Sequence, residues 1–248
     1  MGRVAPLGAY AKSPGRTRPR LKRAIPCGKD RGESVNLEAA RTAMIDSQVR
    51  PNDVTDRRLI AAMASVERDL FVPAARRAVA YAELPIETLP GRWLMAARDF
   101  SKLVHATAIR EGERILDIAP GTGYSTAVLA RLGKVTALEE GEAAKALAEH
   151  LTRAGVAGVE IVSGSLKAGA PGKGPFDVII VNGMVEVVPQ VWLDQLAEGG
   201  RLAVAVSENG SHRARIYTRS GGKAAWLTPF DASPPALAGF EKTAEFRL

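Results

Sequence analysis

The run ILDIAPGTGYSTAVLA, residues 115–130, constrains the fold more than any other stretch of the chain. An apolar segment stops at a lone acid, passes through Pro120, Gly121, Thr122 and Gly123, and resumes with a helical pattern. A strand that ends in a glycine turn and feeds a helix is how an α/β sheet exposes backbone N–H groups to a ligand. The flanking texture agrees. RILDI, KVTALE, VEIVSG, FDVIIVNG and GGRLAVAV read as strands, and residues 124–132, 143–154 and 188–196 as helices between them. FDVIIVNG is apolar without alternation, as expected of a strand covered on both faces. ARIYTRS and AAWLTPF read as a polar-edged hairpin around Gly221 and Gly222. The expectation is a mostly parallel sheet with right-handed crossovers, closed by an antiparallel C-terminal hairpin, with its ligand at the strand carboxyl ends.

Upstream, residues 37–49 read as a helix stopped by Pro51, and Thr55 as the N-cap of a second helix carrying Leu59, Ile60 and Met63. YAELPIETLPGRW, residues 81–93, reads as loop with a short extended piece, followed by a helix on Phe100, Leu103 and Val104.

Two ligand classes use a glycine corner of this kind. A dinucleotide site wants G-x-G-x-x-G, but here Thr126 stands at the third glycine position. The pattern instead reads acid-x-Ala-x-Gly-x-Gly from Asp117 to Gly123. A carboxylate there would repel a pyrophosphate and suits a ligand with an ammonium group and a positive sulfonium, such as S-adenosylmethionine. Glu139, at the end of the second strand, is placed to accept both hydroxyls of a ribose. A nicotinamide dehydrogenase is the competing reading. The bland one is that Asp117 and Glu139 are solvated strand ends.

Charge is unevenly distributed. Residues 1–34 hold nine of the 34 Lys and Arg but only Asp30 and Glu33 among the 27 acids, so the net charge of +7 belongs to that segment and the rest is neutral. With four prolines and five glycines it reads as a disordered basic tail, or as upstream sequence from a start codon placed too early, a start near Val35 or Met44 fitting the charge break. A nucleic-acid arm or a transit peptide is the less favoured reading. No apolar run reaches 18 residues, so no membrane span or secretion signal is expected, and the location expected is cytoplasmic. Cys27 is the only cysteine, and His105, His150 and His212 lie at no metal-ligand spacing, so no metal site is expected. His150 and His212 read as surface residues.

MIDSQVRPNDVTDRRLIAAMASVERDLFVP, YAELPI, RILDIAPGTGYSTAVLARLGKVTALE and PFDVIIVNGMVEVVPQVWLDQLAEGGRL, in that order, resemble the protein-L-isoaspartate O-methyltransferases over residues 44–206. The resemblance implies a Rossmann-like methyltransferase sandwich with a seven-stranded sheet and a helical N-terminal extension. It also implies methyl transfer from S-adenosylmethionine to the α-carboxyl of isoaspartyl residues in damaged protein, a repair activity. Carried over by position, the cofactor site falls on Asp117, Ala119, Gly121, Thr122, Gly123, Glu139, Ser165, Leu166 and Asn182. The chain departs from the family pattern at three places. Ala119 replaces a glycine, Gly164-Ser165 replaces Gly-Asp, and WLMAA, residues 93–97, replaces a polar Thr-Ile-Ser-Gln-Pro-like segment beside the acceptor. Trp93 and Met95 then either line an apolar acceptor pocket or pack the loop, packing being favoured. Arg92 and Arg98 could pair with an acceptor carboxylate, although solvation is the commoner fate. These departures keep two alternatives open, a different carboxylate acceptor and a catalytically silent cofactor-binding protein. The expected organisation is a tail over 1–34, a helical subdomain with the acceptor loop over 35–99, and the cofactor domain over 100–248.

Overall fold

Seven strands form one sheet in the order β5-β4-β3-β6-β7-β8-β9. The computed structural model describes residues 1–2 and 36–242, so the expectations for the basic tail lie outside the described residues.

The N-terminal helices start where polar side chains can take up free amides. In α1 (Leu37–Met44) Asn36 Oδ1 accepts the Ala39 N–H at 3.0 Å. The helix expected over 37–49 does not continue regularly: a wider turn, Ile45–Val49, and a 3-10 turn, Arg50–Asn52, follow before Asp53 enters the left-handed region at φ 62°. Pro51 removes the donor that a regular continuation would use. In α2 (Arg57–Ser65) the cap is Asp56 rather than Thr55, its carboxylate accepting from Arg58 and Leu59 N–H. Residues 81–93 are more regular than expected. They contain β1 (Ile86–Leu89) and most of β2 (Arg92–Leu94), an antiparallel hairpin separate from the main sheet. Next comes α3 (Ala97–Ala106), so the expected boundary at 99/100 falls within a helix.

The sheet strands are β3 (Arg114–Ile118), β4 (Lys134–Glu139), β5 (Glu160–Ser163), β6 (Phe176–Val185), β7 (Leu196–Glu208), β8 (Ser211–Ser220) and β9 (Lys223–Leu227). The first five run parallel to one another, and β7–β8 and β8–β9 pair antiparallel. β7 runs past the expected GGRLAVAV to Glu208 and turns at Asn209-Gly210, both at positive φ, the dipeptide that suits a tight hairpin. Helices α4 (Tyr124–Leu129), α5 (Gly141–Arg153) and α6 (Gln190–Asp194) provide crossovers.

Side chains alternate between two cores. Ile115, Ala137, Val178, Ile180, Ala203 and Ala205 face a cluster with Leu59, Phe71, Phe100 and Leu147. Leu116, Leu138, Ile179, Val181, Leu202 and Val204 face a cluster with Trp192, Leu237 and Phe240. The period-two pattern thus sets the fate of each strand residue, and the N-terminal helices are one wall of the first core rather than a module apart. β3 lies between β4 and β6, and the chain leaves it toward opposite sides, which opens a crevice at its carboxyl end.

Candidate cofactor site

At the end of β3 the chain turns through three left-handed residues, Ala119 at φ 57°, Gly121 at 60° and Gly123 at 98°. Gly123 has no room for a side chain, since a Cβ would stand 2.6 Å from Leu147 Cδ1. Ala119 is buried, with its N–H donated to the Leu138 carbonyl at 3.0 Å, and carries a Cβ where the backbone disfavours one. Replacing Ala119 by glycine is expected to raise stability by about 1 kcal/mol, read as a shift of the urea midpoint.

Asp117 is buried and faces α4. It accepts from Ser125 Oγ at 2.8 Å, Thr126 Oγ1 at 2.6 Å and Asn182 Nδ2 at 2.6 Å. Asn182 also donates to the Ile118 carbonyl at 3.0 Å, so its side chain is committed to β3. Burial pushes the Asp117 carboxyl up to about 6, while the three donors hold it back. The acid is therefore neither a solvated strand end nor an open charge in the crevice. It bolts the glycine corner to the sheet. Thr122 Oγ1 does the same on the other side, donating to the Phe71 carbonyl at 2.5 Å.

Glu139 ends β4 with no exposed side-chain surface, and burial pushes its carboxyl up to about 7 against the pull of Arg92. Arg92 Nε lies 2.6 and 2.9 Å from its two oxygens, and Arg92 Nη2 lies 3.2 Å from Glu140. Solvation, the fate favoured for Arg92, is corrected by this pairing: the guanidinium is worth more against a buried acid than in water. Glu140 Oε1 in turn accepts the Leu166 N–H at 3.0 Å, and the Leu166 carbonyl accepts from Trp192 Nε1 at 2.7 Å. Leu166 is buried and Ser165 exposed beside it.

Met95 is core rather than pocket lining, at 3% exposure. Trp93 is half-buried on β2, opposite Glu87. Arg98 pairs with Asp99 at 2.7 Å. His105, His150 and His212 are half-buried, His150 within 3.3 Å of the Leu70 carbonyl and His212 within 3.1 Å of Ser233.

Two residues near the site had no assigned role in the sequence reading. Thr88 Oγ1 lies 3.0 Å from where a Gly121 Cβ would be, so a hydroxyl stands over the glycine corner although the WLMAA segment carries none. Arg68 is fully buried, donating to the Ala80 carbonyl at 2.7 Å and the Met95 carbonyl at 2.6 Å, with its guanidinium 4.8 Å from the Tyr124 ring centre. Only its position in ERDLFVP, just before an aromatic, could have signalled it.

The groups present fit an adenosyl ligand in kind: a bare-backbone corner, an acid at the neighbouring strand tip and an apolar wall at Leu166. Glu139 is nevertheless paired with Arg92, so ribose hydroxyls would meet oxygens that already carry a guanidinium.

A family model, Protein-L-isoaspartate(D-aspartate) O-methyltransferase, matches residues 39–228. A protein-L-isoaspartate O-methyltransferase from Methylorubrum populi is 37% identical over 74% of this chain and 87% of its own length. One from Methanoculleus marisnigri is 35% identical over 74% of this chain and 80% of its own. A solved protein-L-isoaspartate O-methyltransferase superposes with TM-score 0.71 at 22% identity, over 80% of this chain and 66% of that one. A Plasmodium falciparum structure described as a beta-aspartate methyltransferase in complex with S-adenosyl-L-homocysteine gives 0.69 at 19% identity, over 82% and 98%. The Rossmann-like methyltransferase fold follows from these superpositions, and by its sequence the chain belongs to the protein-L-isoaspartate(D-aspartate) O-methyltransferase family.

Proposed function

We propose that the protein is an S-adenosylmethionine-dependent carboxyl O-methyltransferase acting on isoaspartyl residues of proteins or peptides. One observation carries the reading: a glycine corner and a buried ribose-type acid converge at the carboxyl ends of β3 and β4 in a chain of this family. When bound, S-adenosylmethionine supplies a methyl group on a positively charged sulfur. Gly121, Thr122 and Gly123 would offer main chain to it, Glu139 its ribose acceptor, and Ser165 and Leu166 the border of its base. Ala119, Asp117 and Asn182 act beneath the ligand by keeping the corner in shape.

On the acceptor side little proton chemistry is needed. A carboxylate is ionised at neutral pH, so the chain's task is to place it and exclude water. Positioning alone can supply roughly 7 to 11 kcal/mol of a barrier. Thr88 and Trp93, on the two strands of the hairpin, are the side chains we assign to that task. A second reading, a different carboxylate acceptor, is favoured by the burial of Met95 where the family pattern has a serine.

No helix among the described residues is long and apolar enough to cross a membrane, and a cytoplasmic location is part of the proposal. The test uses methyl-labelled S-adenosylmethionine. Label should enter an isoaspartyl peptide and not its aspartyl counterpart. Label appearing only in cell extract would move the acceptor elsewhere, and cofactor binding without any label would leave a silent binding protein.

A further inference from the structure

The β1–β2 hairpin stands where the ligand of this site should enter. Arg92 Nε bridges both Glu139 oxygens at 2.6 and 2.9 Å, and these are the atoms a ribose diol would need. The glycine corner is covered by the same hairpin: a Cβ on Gly121 would lie 3.0 Å from Thr88 Oγ1 and 3.2 Å from Arg92 Cβ. In this arrangement the missing side chain of Gly121 makes room for the hairpin.

The hairpin is held unevenly. Its base is anchored, with Ile86 and Leu94 at 3% and 7% exposure, whereas Pro90 and Gly91 at its tip are exposed. It shares no ladder with the seven-stranded sheet, and an isolated two-stranded hairpin is marginally stable on its own. Among the described ion pairs, those of Arg92 to Glu139 and Glu140 tie it to the sheet. Glu140 is 48% exposed against 0% for Glu139, so the guanidinium has an outer carboxylate to rest on once the inner one is claimed.

Resting on the adenosyl-site reading, we propose that the hairpin of residues 86–94 is a latch: Arg92 holds Glu139 closed, and a nucleoside enters by displacing that guanidinium. Arg92 then sets how tightly and how fast the cofactor binds. The acceptor surface bordered by the hairpin forms only after the cofactor has entered, which imposes an order of binding.

Calorimetry and stopped-flow binding with S-adenosylhomocysteine, joined to hydrogen exchange of the 86–94 amides, test the latch on the full chain. Arg92→Ala should bind at least tenfold tighter than the parent and associate faster, with Arg92→Lys in between. Exchange at 86–94 should be slow in the free parent and rise on adding S-adenosylhomocysteine, and it should be equally fast in free Arg92→Ala. Equal or weaker binding by Arg92→Ala, or exchange indifferent to the substitution, would overturn the latch and leave the cofactor reading standing. No binding by either protein would remove the cofactor reading, and the latch with it.

Discussion

Asp117→Ala is expected to cost about 4 kcal/mol of folding stability, a large share of the roughly 5 to 15 kcal/mol that an ordinary chain has. The carboxylate is buried and accepts three hydrogen bonds, from Ser125, Thr126 and Asn182. Truncation orphans three donors that no water reaches, each at about 1 to 3 kcal/mol. Asp117→Asn keeps the shape and should cost far less, and its effect should depend on pH. The Asp117 carboxyl titrates at 3.8 in an ordinary setting and at about 6 here, because burial disfavours the charged form. Between those values the folded state holds a proton that the unfolded state has lost, so stability falls as pH rises from about 4 to about 6 and levels off above. The integrated loss is about 3 kcal/mol. Glu139, raised from 4.5 to about 7, adds a loss of the same sign over a higher window. Urea midpoints measured from pH 4 to 8 should therefore decline in the parent. In Asp117→Asn the lower part of that decline should vanish. A parent curve that rises over this range would contradict the assignment.

Glu139→Ala is expected to weaken S-adenosylhomocysteine binding by tenfold to a hundredfold. Hydrogen bonds from neutral hydroxyls to a carboxylate are worth roughly 1.5 to 3 kcal/mol each, and two would be lost. Release of Arg92 offsets part of that loss, which is why the expected effect is smaller than the sum. A double-mutant cycle separates the two contributions. If Arg92 acts only by competing for the acid, Arg92→Ala tightens binding when Glu139 is present and does nothing when it is absent. Calorimetry on the four proteins gives the coupling directly. An Arg92→Ala gain that persists without Glu139 would place the competition elsewhere on the hairpin.

The parts of this molecule set by local pattern were legible in the chain. Short apolar runs such as RILDI, KVTALE and FDVIIVNG, alternating with helical segments and followed after the first by glycines, are enough to place Gly121, Gly123 and Glu139 at the carboxyl ends of a parallel sheet. What could not be read was which way a polar side chain turns. Asp117 sits on the face of β3 that looks at α4, and nothing in its immediate sequence says that Ser125, Thr126 and Asn182 arrive there together from 8, 9 and 65 residues away. Arg92 shows the same limit. Beside a Pro-Gly turn it looks like a solvated base, yet its partner is 47 residues distant on another element. Met95 was easier, because an apolar residue beside a predicted helix has few places to go other than the core.

Arg68 touches the segment beneath the hairpin through main-chain oxygens alone, at Ala80 and Met95. Any amino acid supplies a carbonyl, so this strut fixes the path of the chain while placing no demand on the identity of the side chains along it. Within residues 93–97 the core still holds Leu94, Met95 and Ala97, but the half-buried Trp93 and Ala96 are open to change, leaving natural selection free to retune what the enzyme accepts on a scaffold that stays put.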